Sequence, residues 1–180
     1  MTLTLKARYC DRETLIEGLN RIVAQIEQAP FDFTNLAFIG ILTGGAPIAD
    51  YLADRLAKNR GIAFPVAYVD ITLYRDDMID TQFDPYARAV EIPFSLKNRE
   101  VVLVDDVLFT GRTVRAALTT ILALGRPRLI RFAAVVDRGC RELPIQADFV
   151  AFHIETTRRQ GIRVRTGLDE ASGIYIYEQD

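Results

Sequence analysis

At 180 residues and 49% hydrophobic content, the chain is long enough for one self-sufficient core and too apolar for a disordered segment. A formal net charge of −2 gives no global pull toward nucleic acid, and no apolar run approaches the roughly 20 residues that span a bilayer. The basic residues are lopsided, 19 Arg against three Lys (Lys6, Lys58, Lys97), and arginine is the better fork for phosphate.

The opening segment, MTLTLKARYC, is too short and too interrupted to be a secretory signal, which points to the cytoplasm. Residues 11–28 read as an amphipathic helix that Asp11 can cap, with Leu15, Leu19, Ile22, Val23 and Ile26 on one apolar stripe. Residues 36–42 (LAFIGIL) read as a buried strand, followed by the tight loop Thr43-Gly44-Gly45. The helix after it runs to about residue 59, with Pro47 in its first turn and Ile48, Leu52 and Leu56 inward. Residues 64–73 read as a third strand. From 74 to 97 the pattern fails: five acids, two prolines and no sustained period indicate a long loop or arm, and such loops are usually functional.

The most informative stretch comes next. Val101, Val102, Leu103 and Val104 suit a strand covered on both faces, and it is expected to end in Asp105 and Asp106. Val107, Leu108, Phe109, Thr110, Gly111, Arg112 and Thr113 then lead through a Thr/Gly turn into a helix over residues 112–124. Ligands in open α/β sheets bind beyond the carboxyl ends of the strands, and hydroxyls with consecutive N–H groups at a helix start make a phosphate seat. Two acids beside such a seat suit a phosphorylated sugar. The Walker A spacing and the GxGxxG dinucleotide fingerprint are both absent from this turn.

Gly125 stops that helix and Pro127 follows it; residues 129–136 read as another buried strand. Residues 147–152 and the alternating pairs Ile162/Val164 and Ile174/Ile176 read as edge strands. The alternation of strand and helix predicts an α/β fold, a doubly wound, mainly parallel sheet, as one domain over residues 1–180. Cys10 and Cys140 form no CxxC pair, and the single His153 has no nucleophile-elbow motif beside it. With so few soft ligands, a metal here is expected to be hard and oxygen-bound, with Mg²⁺ the first candidate.

The stretch 101–113 closely resembles the ribosyl-diphosphate (PRPP) signature of type I phosphoribosyltransferases. Its form DDVLFTGRTVRAAL narrows the resemblance to the PyrR family, pyrimidine-operon regulators that double as uracil phosphoribosyltransferases. Two further segments match in register: Asp70-Ile71-Thr72-Leu73-Tyr74-Arg75-Asp76-Asp77, and Gly125-Arg126-Pro127 followed by the run from Val135 to Ile145 (VVDRGCRELPI). The resemblance implies the type I fold, with a small hood built from the N-terminal helix and the C-terminal strands. It implies that uracil and PRPP give UMP and pyrophosphate with Mg²⁺ present, in pyrimidine salvage. Asp105 and Asp106 would hold the ribose hydroxyls and the metal, directly or through water. Arg75 would reach the pyrophosphate, and Thr43, Gly44 and Gly45 would form the pyrophosphate loop. Leu108, Asp137, Arg138 and Ile145 would face the base. A homodimer or larger homo-oligomer is implied as well.

The chain departs from the family at identifiable positions. Leu42 and Gly44 stand where the family often has basic residues, which removes one or two pyrophosphate contacts. Phe109 replaces a frequent Tyr; it also speaks against a purine enzyme, which commonly has an acid there. Cys140, Gln146 and Phe152 replace polar or basic residues of the family's RNA surface, leaving Arg138 and Arg141 as its RNA contacts in that stretch. The alternative reading is an RNA-binding attenuator that senses UMP or UTP with weak or no catalysis.

Overall fold

Uninterrupted apolar runs build the centre of the molecule, because a strand covered on both faces has no solvent side to keep polar. The computed structural model describes residues 3–71, 92–167 and 169–179. After β1 (Leu3–Cys10) and α1 (Arg12–Gln28) come β2 (Leu36–Ile41), α2 (Gly45–Arg60) and β3 (Val66–Val69). The chain continues as β4 (Glu100–Leu108), α3 (Arg112–Leu124), β5 (Leu129–Asp137) and β6 (Phe149–His153), and closes with β7 (Gln160–Arg165) and β8 (Gly173–Gln179).

Five strands form a parallel sheet in the order β3-β2-β4-β5-β6. Alternate side chains serve opposite layers. Phe38, Val102, Val104 and Ala133 pack with α1 and α2, while Ile39, Leu103, Phe132 and Ala134 pack with α3. This is the doubly wound arrangement expected from the alternation of elements. The Asp11 carboxylate caps α1 by accepting the Thr14 N–H at 2.9 Å, and the whole predicted stripe from Leu15 to Ile26 is buried. From β2 the chain passes through α2 to β3 on one side, and β4 is then laid on the other side of β2. The winding direction therefore reverses between β2 and β4, the place where open α/β sheets leave a crevice.

The remaining strands form a three-stranded antiparallel sheet, β1-β8-β7. Ile174 and Ile176 of β8, with Val164 and Ile162 opposite them, turn toward the core under α1 and α2. The expected hood is thus built differently. Its N-terminal member is β1 rather than the helix, because the buried stripe of α1 holds that helix against α2 and β6. Residues 3–10 concealed a strand: Leu5 and Tyr9 point to solvent, 53% and 48% exposed, and bulges at Leu5/Ala7 and Arg8/Cys10 break the period. β8, expected at an edge, is the central strand of its sheet, and β3 is shorter than the predicted 64–73. Residues 72–91, which include most of the long loop predicted over 74–97, lie outside the described residues.

Candidate functional site

β4 does not end at the two acids, as the sequence suggested, but runs on to Leu108. Pairing with β2 stops at Gly40↔Val104, while pairing with β5 continues through Asp105↔Ala134, Val107↔Val136 and Leu108↔Asp137. One neighbour has let go and the other has not. The acids therefore sit in a notch beyond the end of β2, at the point where the winding reverses. Asp105 is only 6% exposed, and its Oδ1 accepts the Asp106 N–H at 3.0 Å. Burial, then the charge of Asp106, pushes the Asp105 carboxyl well above the usual carboxylate range, and burial raises Asp106 too. Among the described residues no salt bridge reaches either acid.

The loop between β2 and α2 fills the floor of the notch. Its Leu42–Thr43 peptide is cis. A Cβ on Gly44 would lie 2.4 Å from the Asp106 carboxyl carbon, and one on Gly45 would lie 2.1 Å from the Val104 carbonyl oxygen. Only glycine lets this loop approach β4 so closely. No side chain caps α2 at Gly44, so the N–H groups of its first turn are presented beside the acids. Gly44 and Gly45 are thereby brought against Asp106 and the backbone of Asp105 from some sixty positions away in the chain, with Thr43 preceding them in the same loop.

The third wall is the turn between β4 and α3. Gly111 has φ of +93° and takes the N-cap position without a side-chain cap. The Arg112 N–H donates to Thr110 Oγ1 at 3.3 Å, and Arg112 Nε pairs with Glu142 at 2.8 Å. The turn is held from outside by residues 137–145. Arg141 donates to the Phe109 carbonyl at 2.9 Å, to the Gly139 and Ile145 carbonyls, and to the Asp137 carboxylate. The N–H groups of Glu142 and Leu143 both donate to the Thr110 carbonyl, at 3.0 and 3.1 Å. Burial alone would raise the Asp137 carboxyl, but the bonds from Arg141 and the Gly139 N–H outweigh it and hold it low.

Several predicted contacts are placed otherwise than expected. Arg138 is 6% exposed, and its guanidinium lies among Thr156, Thr157 and Gln160 and over the Phe109 ring. Arg138 and Arg141 both make their side-chain hydrogen bonds within their own chain. Leu108 is buried in the core cluster that includes α3, while Ile145 packs against Gly111. Arg75 lies outside the described residues. Glu142 was missed, although its position next to Arg141 in a motif already singled out was a usable signal. Thr156, Thr157 and Gln160 carried no signal, since only the tertiary fold brings them to Arg138.

Comparison with known proteins agrees with this geometry. A model of the phosphoribosyl transferase domain matches residues 8–171. The bifunctional protein PyrR of Pelotomaculum thermopropionicum is 45% identical over 168 residues, covering 93% of this chain and 92% of the relative. That of Thermus aquaticus is 43% identical over 179 residues, 99% of each chain. Among solved structures, the hypoxanthine phosphoribosyltransferase of Trypanosoma cruzi superposes with a TM-score of 0.69 at 16% identity, over 98% of both chains. A hypoxanthine-guanine phosphoribosyltransferase of Bacillus anthracis gives 0.69 at 20% identity, over 98% of this chain and 99% of that one. At such identities these structures speak for the type I phosphoribosyltransferase fold alone.

Proposed function

We propose that this chain, which belongs to the PyrR family of phosphoribosyl transferases, makes UMP and pyrophosphate from uracil and PRPP and takes part in pyrimidine regulation. The observation that carries the reading is the notch itself. Buried Asp105 and half-buried Asp106, with no salt-bridge partner among the described residues, lie against the start of α2, where Gly44 meets Asp106, on the strand that leads through the Gly111 turn into α3, at the reversal of the sheet. A ribose with a phosphate at one end and a diphosphate at the other matches that set of donors and acceptors.

In this reading N1 of uracil bonds to C1 of the sugar as the C1–oxygen bond breaks; its electron pair leaves with pyrophosphate, and the N1 proton passes to solvent. The developing oxocarbenium ion asks for positioning, charge stabilisation and exclusion of water rather than for a covalent protein intermediate. Asp105 and Asp106 accept the ribose hydroxyls. Thr110, Gly111, Arg112 and Thr113 seat the 5′-phosphate with hydroxyls and the N–H groups that begin α3. Thr43, Gly44 and Gly45 seat the diphosphate, with Arg75 as its cationic contact. Main-chain groups at Asp137 and Arg138, with Ile145 at the rim, take the base. The acids also fit Mg²⁺: they are hard oxygen donors, Asp105 buried and Asp106 half-buried, with no salt-bridge partner among the described residues. Among the described residues no third metal-ligating side chain joins them, so further ligands would be substrate oxygens and water. When bound, the ion neutralises diphosphate charge.

A cytoplasmic setting and a homodimer or larger assembly belong to the same proposal; no helix among the described residues is long and apolar enough to cross a membrane. A regulatory role is supported by the relatives' designation as bifunctional. With Arg138 and Arg141 engaged internally, RNA contact would draw on other basic residues. The decisive assay supplies PRPP and Mg²⁺ with uracil, and with hypoxanthine and orotate as comparators. UMP formation that disappears in Asp105→Asn/Asp106→Asn is the expected result. Intact PRPP binding with no product from any base would leave the sensor reading in its place.

A further inference from the structure

Three segments distant in sequence meet at one buried guanidinium. Arg138 directly follows β5, and its N–H donates to the carbonyl of Leu108 at the end of β4. Its side chain then leaves the large sheet. Nε donates to Thr156 Oγ1 at 2.8 Å, and Nη2 donates to the carbonyls of Thr157, at 3.0 Å, and Gln160. The guanidinium also stacks over Phe109, 3.8 Å from the ring centre. Gln160 is the first residue of β7. The contact thus runs from the wall of the nucleotide notch to the point where the chain enters the small sheet.

Stability alone is a poor account of this arrangement. Among the described residues no salt bridge reaches Arg138, and a buried cation without a carboxylate partner is costly compared with an apolar residue of the same size. What a planar fork does well is fix several acceptors relative to one another while lying flat on a ring. Lysine has neither the plane nor the second donor branch.

We infer that Arg138 is a positioning residue for the base: it sets the small sheet over Phe109 and so fixes the slot that a pyrimidine ring enters. The inference rests on the proposed uracil transfer, and it assigns Arg138 a role through Phe109 and residues 156–160 rather than by side-chain contact with the base. Three measurements on wild type, Arg138→Lys and Thr156→Val test it: KM for uracil and for PRPP, UMP affinity by calorimetry, and amide hydrogen exchange over residues 156–165.

Arg138→Lys is expected to raise KM for uracil by about tenfold or more, since small misplacements are costly in oriented reactions. KM for PRPP should stay within about twofold, because uniform loosening of the site would move both. Thr156→Val, which removes one acceptor and leaves the fold in place, should shift both readings the same way by less. Faster exchange over 156–165 with an unchanged KM for uracil would overturn the inference and leave Arg138 a structural residue; an equal rise in both KM values would overturn it as well. If wild type makes no UMP, the enzyme reading fails, and UMP affinity still decides this one: about tenfold weaker binding in Arg138→Lys supports it, and equal binding overturns it. Should Arg138→Lys not fold, Thr156→Val carries the comparison.

Discussion

Asp105 and Asp106 are held where a folded protein gains least from a charge: within β4 where its pairing with β2 has stopped, under a glycine loop, with no cation among the described residues to answer them. In the proposed reading their placement serves a ligand at the expense of the ligand-free fold. Asp105→Asn should therefore raise the melting temperature of the ligand-free protein by about 2–4 °C, the shift that about 1 kcal/mol gives at this length. Asn retains an oxygen for the Asp106 N–H, so the local turn survives. Turnover should fall by more than about 10²-fold, as when one preorganised polar group is removed from a reacting centre. Scanning calorimetry beside the UMP assay checks both, and a lower melting temperature would contradict the argument. Arg141 works in the opposite sense. Arg141→Ala strips donors from the Phe109, Gly139 and Ile145 carbonyls and the partner from Asp137, at about 2–3 kcal/mol, or a fall of about 5–10 °C. KM for PRPP should rise about tenfold because the phosphate turn loses its outer support; an unchanged KM in a destabilised variant would show that residues 109–113 hold themselves.

Two loops with glycine at the helix start converge on β4, and the glycines do different work. At Gly44 the obstacle to a side chain is the Asp106 carboxylate; at Gly111 it is the backbone itself, with φ of +93°. Gly44→Ala should turn Asp106 and lower kcat/KM for PRPP by at least about tenfold while the melting temperature barely moves. Gly111→Ala should cost about 1–2 kcal/mol of backbone strain and lower the melting temperature as well. If both variants melt alike, that distinction is wrong. The same elements show what could be read from the sequence. Residues 101–113 were legible because apolar run, acids, glycine and helix start are contiguous, so local chemistry suffices. The extension of β4 to Leu108 was not, because it depends on β5 continuing to pair after β2 has stopped. β1 was missed because its exposed apolar residues and two bulges invert the usual pattern. The internal hydrogen bonds of Arg138 and Arg141 were not legible for a related reason: composition shows that a guanidinium is present but not which carbonyls the fold will set around it.

On the scale of the whole molecule, protonation, metal and folding should be linked through the notch. Burial, and for Asp105 the neighbouring charge, makes the pair bind protons more readily in the folded chain than in the unfolded one. Between the ordinary carboxylate value of 3.8 and the raised values, the native state therefore holds more protons than the unfolded state. Its contribution to stability is complete below that window and declines as pH climbs through it. A bound cation reverses the preference, because it needs both carboxylates ionised; PRPP with Mg²⁺ must then displace protons wherever the pair is still protonated. At a ligand concentration about a hundredfold above Kd, the stabilisation is about 2.7 kcal/mol, or about 5–10 °C at this length. Measured by thermal melting at fixed PRPP and Mg²⁺, that shift should grow as pH climbs above the ordinary carboxylate range and shrink when a chelator removes the metal. In Asp105→Asn/Asp106→Asn the growth with pH should vanish, since no notch carboxylate is left to titrate. A wild-type shift that ignores both pH and chelator would place the cation elsewhere, and the two acids would then have to act on the ribose alone.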